Sequence, residues 1–189
     1  MPTATKMGKK NYDLEIEVPQ GINISLDNNL LAVKGTKGEV KKEFNNPRIE
    51  LKADNEKIDI KIKKGLKQTK TDKTSTATYY AHIRNMLKGA ANGYSAKLKI
   101  CSGHFPMTVN LDGNKFSVKN FLGEKVPRAI NIKPGVKVEI QGDTIKITGV
   151  DKDLVGQTAA NIEQLTRITN RDRRIFQDGI YILEKPGEE

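Results

Sequence analysis

The sequence has few aromatic residues and little cysteine. It contains no tryptophan, 5% aromatic residues and one cysteine, Cys101, among 189 residues. A single cysteine excludes an intramolecular disulfide and is typical of proteins in a reducing cytoplasm. No stretch approaches the roughly 20 apolar residues that a membrane-spanning helix requires. The lysines among the first ten residues precede no apolar run, so we do not expect a signal peptide there.

Positive charge is abundant instead. Lys and Arg number 33 against 23 Asp and Glu, which gives a formal net charge of +10. Such an excess favours a polyanionic partner, and on charge alone RNA, DNA and an anionic membrane surface all remain open. The hydrophobic fraction is 36%. This content suits two small domains, each burying a limited apolar face, better than one large core.

A hairpin pattern occurs twice along the chain. In residues 21–35 and again in residues 135–149, apolar and polar positions alternate, break at a polar turn and alternate again. This pattern predicts an antiparallel hairpin with one buried face. Each copy follows a proline and ends in a glycine, which favours an internal duplication in which Gly21 is aligned with Gly135.

Apolar periodicity elsewhere predicts further strands and two helices. Positions of period two predict antiparallel strands with one solvated face at residues 49–51, 58–62, 98–100, 107–111, 116–118 and 126–132. Spacings of three and four predict helices at residues 74–87 and 151–165. Their caps are expected among Thr74, Ser75 and Thr76, and among Asp151 and Asp153. We therefore predict an α+β fold of two tandem duplicated domains, each an antiparallel sheet covered on one face by a helix.

The domain boundaries follow from these elements. We expect an N-terminal extension at residues 1–10, a first repeat domain at 11–87, a second at 88–176, and a C-terminal strand and tail at 177–189. The lysine-rich residues 61–73 connect the first sheet to its helix and mark no boundary. Either direct RNA contact or simple solvation would explain the lysines of that loop.

The sequence offers no recognisable catalytic site. The glycines around Thr36 and Lys37 are too closely spaced for a phosphate-binding loop and are better explained by a tight turn. His82 and His104 are distant in sequence and lack Cys or His companions at ligand spacing. We therefore expect no enzyme activity, no cofactor and no metal ion.

Arginine is concentrated in one segment. The chain otherwise prefers lysine, yet four of its seven arginines fall within eight residues, with Thr and Asn between them: Arg167, Arg171, Arg173 and Arg174. The guanidinium group binds phosphate with two parallel hydrogen bonds, and Thr and Asn can bind phosphate or ribose. The alternative is a solubilising charged loop, but lysine would serve that purpose equally well.

Three stretches together resemble the ribosomal large-subunit protein L6 family. They are residues 33–38, residues 85–98 at the predicted domain junction, and residues 149–162 at the start of the second predicted helix. The likeness extends over nearly the whole chain, in order. Residues 104–106, 120–125 and 172–181 resemble the archaeal and eukaryotic branch, and the short chain favours the archaeal type.

The resemblance implies a function that composition does not supply. It implies a non-enzymatic constituent of the cytoplasmic ribosome that binds large-subunit rRNA near the sarcin–ricin loop and the stalk base. The second domain is expected to make most of the RNA contact and to support the region where translation factors bind. Expected partners are this rRNA, neighbouring ribosomal proteins near the stalk base and translational GTPases in proximity, with neither a membrane nor a small-molecule substrate.

The predicted rRNA-binding residues form three groups in order of priority. The first is the arginine group of residues 167–174. The second flanks the turn that matches the family and comprises Lys119, Asn120, Lys125 and Arg128. The third lies near the domain junction and comprises Arg84, Lys88 and Lys97. Contacts are expected mainly to phosphates and riboses, so that RNA shape is recognised more than base sequence.

Two other classes of protein would use the same residues differently. An RNA-modifying enzyme could bind RNA on the same basic surface, and turnover of rRNA would reveal it. A protein-interaction module could pair its sheet edges with partner strands. Such a module would retain its protein partners after ribonuclease treatment, whereas a ribosomal protein would be released.

Overall fold

The fold was obtained as a computed structural model that describes residues 13–54, 56–63 and 65–188. Contacts between Cα atoms divide the chain into two compact units, Met1–Asn92 and Gly93–Glu189. The extension expected at residues 1–10 lies outside the described residues. Within the described part of the chain, no helix is long and apolar enough to cross a membrane.

The first unit contains six strands and one helix. Their bounds are β1 (Leu14–Glu17), β2 (Asn23–Asp27), β3 (Leu30–Lys34), β4 (Glu39–Glu43), β5 (Ile49–Ala53), β6 (Lys57–Ile62) and α1 (Lys70–Asn92). The strands form two antiparallel sheets with the orders β2-β3-β4 and β1-β6-β5. The helix contacts strands of both sheets, so it closes the core from one side.

The second unit has a similar plan with one more strand. Its elements are β7 (Tyr94–Cys101), β8 (Thr108–Asp112), β9 (Lys115–Lys119), β10 (Arg128–Asn131), β11 (Val136–Gln141), β12 (Thr144–Gly149), α2 (Lys152–Leu165) and β13 (Gly179–Glu188). The sheets have the orders β10-β9-β8 and β11-β12-β7-β13. A single 3-10 turn, Phe121–Gly123, lies between β9 and β10.

Apolar periodicity accounts for both cores. In β6 the side chains of Ile58 and Ile60 are fully buried, while the polar residues between them point away from the core. In α2 the stripe of Val155, Ala159 and Ile162 is also fully buried. Burying one such aliphatic side chain contributes roughly 1.5–3 kcal/mol. The predicted α+β class and tandem duplication are thus confirmed. Each unit, however, has two sheets where one was expected. The alternating pattern shows which face of a strand is buried and does not show which strands pair with it.

The first helix is longer than predicted. It begins at Lys70 and ends at Asn92, whereas apolar spacing indicated residues 74–87. Its first turn has no apolar residue to extend the pattern and is fixed by a cap instead. The Asp72 amide donates to the Thr69 hydroxyl (3.2 Å), and the Thr69 amide donates to the Asp72 carboxylate (2.9 Å). The expected caps at residues 74–76 and the domain boundary after Leu87 are therefore inside the helix.

The second helix and the strand before the second hairpin lie closer to their predicted bounds. The second helix was expected at residues 151–165 and spans Lys152–Leu165, with Asp151 as the N-cap that accepts a hydrogen bond from the amide of Asp153. The strand expected at residues 126–132 is shorter, Arg128–Asn131, and the Val126 side chain is 77% exposed. An apolar residue type placed Val126 in the strand, whereas the preceding turn leaves it in solvent.

Strand order shows which parts of the two units correspond. The first unit runs as a sheet β2-β3-β4, then β5, β6 and α1; the second runs as a sheet β8-β9-β10, then β11, β12 and α2. The hairpin β2–β3 therefore corresponds to β8–β9. The alignment of Gly21 with Gly135, which matched it to β11–β12, is wrong. Alternation around a polar turn is common to any half-buried hairpin, so the pattern does not distinguish one hairpin of a unit from the next.

Candidate nucleic-acid interface

The arginine loop, residues 166–178, connects α2 to β13 in the second unit. It contains no helix or strand, as the sequence predicted, and all four of its arginines are exposed. The buried Thr166 begins the loop, and its hydroxyl accepts a hydrogen bond from the Ile180 amide at 2.9 Å. The Ile182 amide donates to the Glu163 carboxylate at 3.1 Å. These two amides of the edge strand β13 are thus occupied and are not available to an added strand.

A buried carboxylate holds the far end of the loop. Asp178 is 1% exposed, and its side chain accepts hydrogen bonds from the amides of Gly103 and His104 and interacts with the His104 ring at 2.9 Å. Burial alone would raise the pKa of the Asp178 carboxyl. Hydrogen bonds from the His104 and Gly103 amides and from the His104 side chain outweigh burial and lower this pKa overall. The loop is therefore tied to the segment after β7.

Aromatic contacts support the middle of the loop. The rings of Phe176 and His104 lie 5.1 Å apart between centroids. The guanidinium of Arg171 lies over the Phe176 ring, 5.0 Å from its centroid. A cation over an aromatic face is attracted by the ring's negative quadrupole, so Arg171 has a preferred position although it is exposed.

The neighbouring arginines Arg173 and Arg174 differ in their partners. Arg174 is bound to Asp172 with a shortest distance of 2.7 Å, and this contact lowers the pKa of the Asp172 carboxyl. Arg173 forms no ion pair with any residue in the described ranges, and its charge acts on the nearby Tyr181 phenol. Arg173 is consequently the better placed of the two to neutralise an external phosphate.

The β9–β10 connection, residues 120–127, contributes the second predicted group. Asn120 adopts the left-handed conformation (φ 60°), and its side-chain amide donates to the Pro106 carbonyl at 2.9 Å. The next residue, Phe121, is buried and anchors the turn. Lys119 and Lys125, on either side of it, are exposed. This group therefore has two exposed cations, Lys119 and Lys125, and one residue that shapes the turn, Asn120.

Arg128 is used within the protein. Its guanidinium donates to both carboxylate oxygens of Glu124 (2.8 and 2.5 Å), to the Leu165 carbonyl (2.8 Å) and to the Arg167 carbonyl (3.3 Å). The same group lies over the Phe121 ring, 4.4 Å from its centroid. The RNA contact that the sequence predicted for Arg128 stays a prediction. Its bonds also make it a cap on the last carbonyls of α2 and a link between the connection and the arginine loop.

The first two predicted groups therefore share one surface of the second unit. Arg128 joins them directly through the Arg167 carbonyl. Their charges also interact: hydrogen bonds from Arg128, with weaker contributions from the charges of Arg128 and Arg171, lower the pKa of the Glu124 carboxyl. This surface can offer several arginine and lysine side chains at fixed positions to one extended anion.

The third group is not a single cluster within either unit. Arg84 and Lys88 lie on α1 of the first unit, where Arg84 is exposed and Lys88 half-buried. Lys97 lies on β7 of the second unit and is paired with Glu184 at 3.0 Å. An exposed pair of this kind is weak, so Lys97 can exchange its partner for a phosphate at little cost.

Sequence reasoning missed the residues that hold the surface in place. Thr166, Phe176 and Asp178 carry no motif that marks them, and their roles come from contacts 14 to 75 residues away in the chain. The bond of His104 to Asp178 likewise had no local signal in the sequence. Across the described ranges, no three His, Cys, Asp or Glu side chains form a group that could hold a metal ion.

The second unit is thus a small α+β domain that holds a braced, arginine-rich loop at its surface. The family model described as Ribosomal protein L6 matches residues 18–93 and 105–179. The large ribosomal subunit protein uL6 of Methanocella arvoryzae is 45% identical over 172 residues, covering 90% of this chain and 96% of that protein. The uL6 protein of Methanococcus vannielii is 44% identical over 177 residues, covering 92% and 94%.

The chain therefore belongs to the ribosomal protein L6 family. Both relatives are archaeal, in agreement with the branch that the sequence resembled. The family is a structural, non-enzymatic component of the large ribosomal subunit. The first matched segment contains β2 to α1, and the second contains β8 to α2 together with the arginine loop, which is the correspondence that strand order gives.

Proposed function

We propose that this chain binds large-subunit rRNA near the sarcin–ricin loop and the stalk base and supports the region where translation factors bind. Neighbouring ribosomal proteins of the stalk base and translational GTPases would lie close to it. The RNA-binding surface in this proposal is that of the second unit, formed by the arginine loop and the β9–β10 connection. The location follows the family resemblance, and the surface follows the placement of the arginines.

The observation that carries the proposal is the bracing of the arginine loop. Thr166 fixes its start, Arg128 holds its carbonyls, Phe176 supports its middle and Asp178 fixes its end. Ordering a loop on binding costs free energy, and a loop that is already held avoids most of that cost. Cations at fixed positions can also distinguish one RNA shape from another, which mobile lysines do not.

The residues divide into contacts and supports. Arg167, Arg171 and Arg173 are proposed as direct contacts to phosphate or ribose, with Lys119, Lys125 and Arg174 beside them. Asn120 and Arg128 are proposed to position the others, because their polar groups are bonded to Pro106, Glu124, Leu165 and Arg167. Arg84, Lys88 and Lys97 remain predicted contacts outside this surface.

Salt dependence of RNA binding tests the surface. The variant Arg171→Gln, Arg173→Gln, Arg174→Gln removes three exposed cations of the loop. If each contacts one phosphate, the slope of log affinity against log salt should become shallower by about two to three units. Binding would be measured by filter retention of an rRNA fragment that contains the sarcin–ricin loop, between 50 and 300 mM salt as rough limits.

A matched variant controls for net charge. Lys41→Gln, Lys52→Gln, Lys57→Gln removes three exposed cations from the strands of the first unit, and these residues belong to no predicted site. It should leave the slope within about half a unit of wild type. Equal slopes for the two triple variants would refute the second unit's surface. Absence of wild-type binding, or no protection of the sarcin–ricin loop from hydroxyl radicals, would refute the proposed location.

A further inference from the structure

A groove lies beside the arginine loop, within the second unit. It has a volume of about 720 Å³ and is lined by Cys101, Ser102, Gly103, Arg173, Arg174, Gln177 and Tyr181. Pockets that hold small organic ligands occupy roughly 300–1,000 Å³, so a single nucleotide would fit. The groove joins the end of β7 to the part of the loop that Asp178 ties down.

The charge of this groove favours an anion. Its lining includes two arginines and no carboxylate residue. Asp172 takes part of the Arg174 charge, whereas Arg173 has no ion pair among the described residues. The remaining polar groups are the hydroxyls of Ser102 and Tyr181 and the amide of Gln177, which can both donate and accept. A phosphate and a base edge would therefore both find partners here.

Tyr181 forms one wall. Its side chain is on the outward face of β13 and is 36% exposed. The tip of its ring packs over Gly179: a Cβ on Gly179 would stand 3.4 Å from both Cζ and the hydroxyl oxygen of Tyr181. Burial raises the pKa of the Tyr181 phenol, and the Arg173 charge opposes this only in part. The ring is thus neutral and held in position, as a stacking surface requires.

A smaller cavity of about 290 Å³ is also lined by Tyr181 and Arg173. Its lining includes Arg167 and also Glu163, whose carboxylate is bonded to the Ile182 amide. That carboxylate offsets part of the arginine charge. The larger groove, with two arginines and no carboxylate, is therefore the better site for an anion.

From this geometry we propose that the groove takes one unstacked rRNA nucleotide, with its base against the Tyr181 ring and its phosphate at Arg173. This inference rests on the proposed function, because it names the RNA feature that the arginine loop would recognise. Single-stranded and bulged nucleotides are commonly bound in this way, by an aromatic face and a nearby cation. Gln177 and Ser102 are placed to bond the base edge.

Alkylation of Cys101 provides a direct test, since it is the chain's one cysteine and lines the groove. The rate of alkylation by iodoacetamide would be followed by intact mass, with and without the rRNA fragment used above. Saturating RNA should slow the reaction by about tenfold or more. Inorganic phosphate should leave the rate unchanged. Protection by phosphate alone, or an unchanged rate with bound RNA, would overturn the nucleotide assignment.

Variants of Tyr181 test the stacking. Tyr181→Leu keeps an apolar side chain without a ring, and its RNA affinity should fall by about tenfold. Tyr181→Phe keeps the ring. Among the described residues, the one hydrogen bond of the hydroxyl is to the Asp178 carbonyl at 3.4 Å, so the affinity of this variant should fall less than twofold. Tyr80→Leu on α1 of the first unit is the matched control and should bind as wild type.

The outcomes separate this inference from the proposed function. If wild type binds RNA and Tyr181→Leu binds equally well, the nucleotide site is refuted while the arginine surface stands. If Tyr181→Leu and Tyr181→Phe lose affinity equally, the ring does not stack and the inference is also refuted. If wild type itself does not bind the fragment, the proposed function fails first. Unfolding midpoints measured for each variant would show whether a loss of binding reflects a loss of folding.

Discussion

The two units have similar sheets and helices but use their positive charge differently. Residues 1–92 contain 18 Lys and Arg against 11 Asp and Glu, and residues 93–189 contain 15 against 12. Net charge would therefore favour the first unit as the RNA-binding one. Arginine favours the second, which has five of the seven. Under the proposed function, fixed guanidinium groups identify an RNA surface better than an excess of charge does.

The first unit also uses an arginine internally. Arg48 donates to both carboxylate oxygens of the buried Asp72 (2.7 and 2.9 Å) and to the Lys67 carbonyl (2.9 Å). Together with Thr69, it fixes the loop before α1. In the second unit β12 is separated from α2 by only two residues, and the long connection follows the helix instead. Each unit thus braces one long basic connection. In the first unit it precedes the helix, and in the second unit it follows the helix.

Both units cap the end of their helix from the corresponding connection. In the first, the β3–β4 turn lies against α1: the Lys37 amide donates to the Ala90 carbonyl (3.1 Å) and the Thr36 hydroxyl to the Ala91 carbonyl (2.9 Å). In the second, the β9–β10 connection is followed by Arg128, which reaches the Leu165 carbonyl. The last carbonyl groups of the helix thus accept hydrogen bonds from a neighbouring turn in the first unit and from an arginine side chain in the second.

The largest effect that would test this comparison is expected at Gly35. In Gly35→Ala the new Cβ would overlap the Ala90 carbonyl oxygen, which belongs to the helix backbone and cannot turn aside. Overpacking of this kind should lower the free energy of unfolding by about 3 kcal/mol, measured by urea denaturation. Gly21→Ala is the control, because Gly21 has φ +87° with open space around it and should cost about 1 kcal/mol. Equal losses would mean that the turn does not rest on the helix.

A smaller effect on stability, with a larger one on binding, is expected at Arg128. Arg128→Ala removes the bonds to Glu124, Leu165 and Arg167 and should lower the free energy of unfolding by about 2 kcal/mol. The arginine loop would then be less well held, so rRNA affinity should fall as well. Lys125→Ala removes the same charge from an exposed site and should change stability by less than about 0.5 kcal/mol. If both variants behave alike, Arg128 acts only as a charge.

The smallest effect is expected at the buried carboxylates, of which each unit has one among its described residues. The Arg48 side chain lowers the pKa of Asp72, and backbone and His104 hydrogen bonds lower that of Asp178 against the effect of burial. Because both folded-state pKa values lie below the unfolded value of about 3.9, their stabilisation is present above that pH and is lost as pH falls further. Urea midpoints of wild type should therefore decline from about pH 5 towards pH 2.

The two Asn variants sharpen that comparison. Asp72→Asn and Asp178→Asn should each flatten the decline in acid, because the group that titrates is gone. Of the two variants, only Asp178→Asn should weaken rRNA binding at pH 7, because Asp178 holds the arginine loop and Asp72 does not. Weaker binding in Asp72→Asn at unchanged stability would show that the first unit also contributes to the RNA surface.

Local patterns predicted part of this molecule well. The stripe of Val155, Ala159 and Ile162 and the cap at Asp151 defined α2 almost to the residue, because both signals act within a few positions. The start of α1 was missed although its cap, Thr69 with Asp72, is local, because no apolar residue extends the stripe into the first turn. The hairpins were recognised as hairpins, but their order within the repeat was not, because pairing partners are chosen by distant strands.

The sequence by itself determined the α+β class, the duplication, the family and the irregular, arginine-rich segment, since each depends on residue types and short spacings. Only the tertiary structure decided which arginine faces solvent and which caps a helix, which hairpins correspond, that Asp178 ties the arginine loop to the segment after β7, and that Tyr181 lines the groove beside it. The reason is that these relations join atoms far apart along the chain, and their geometry exists only after the two sheets and the helix of a unit have packed together.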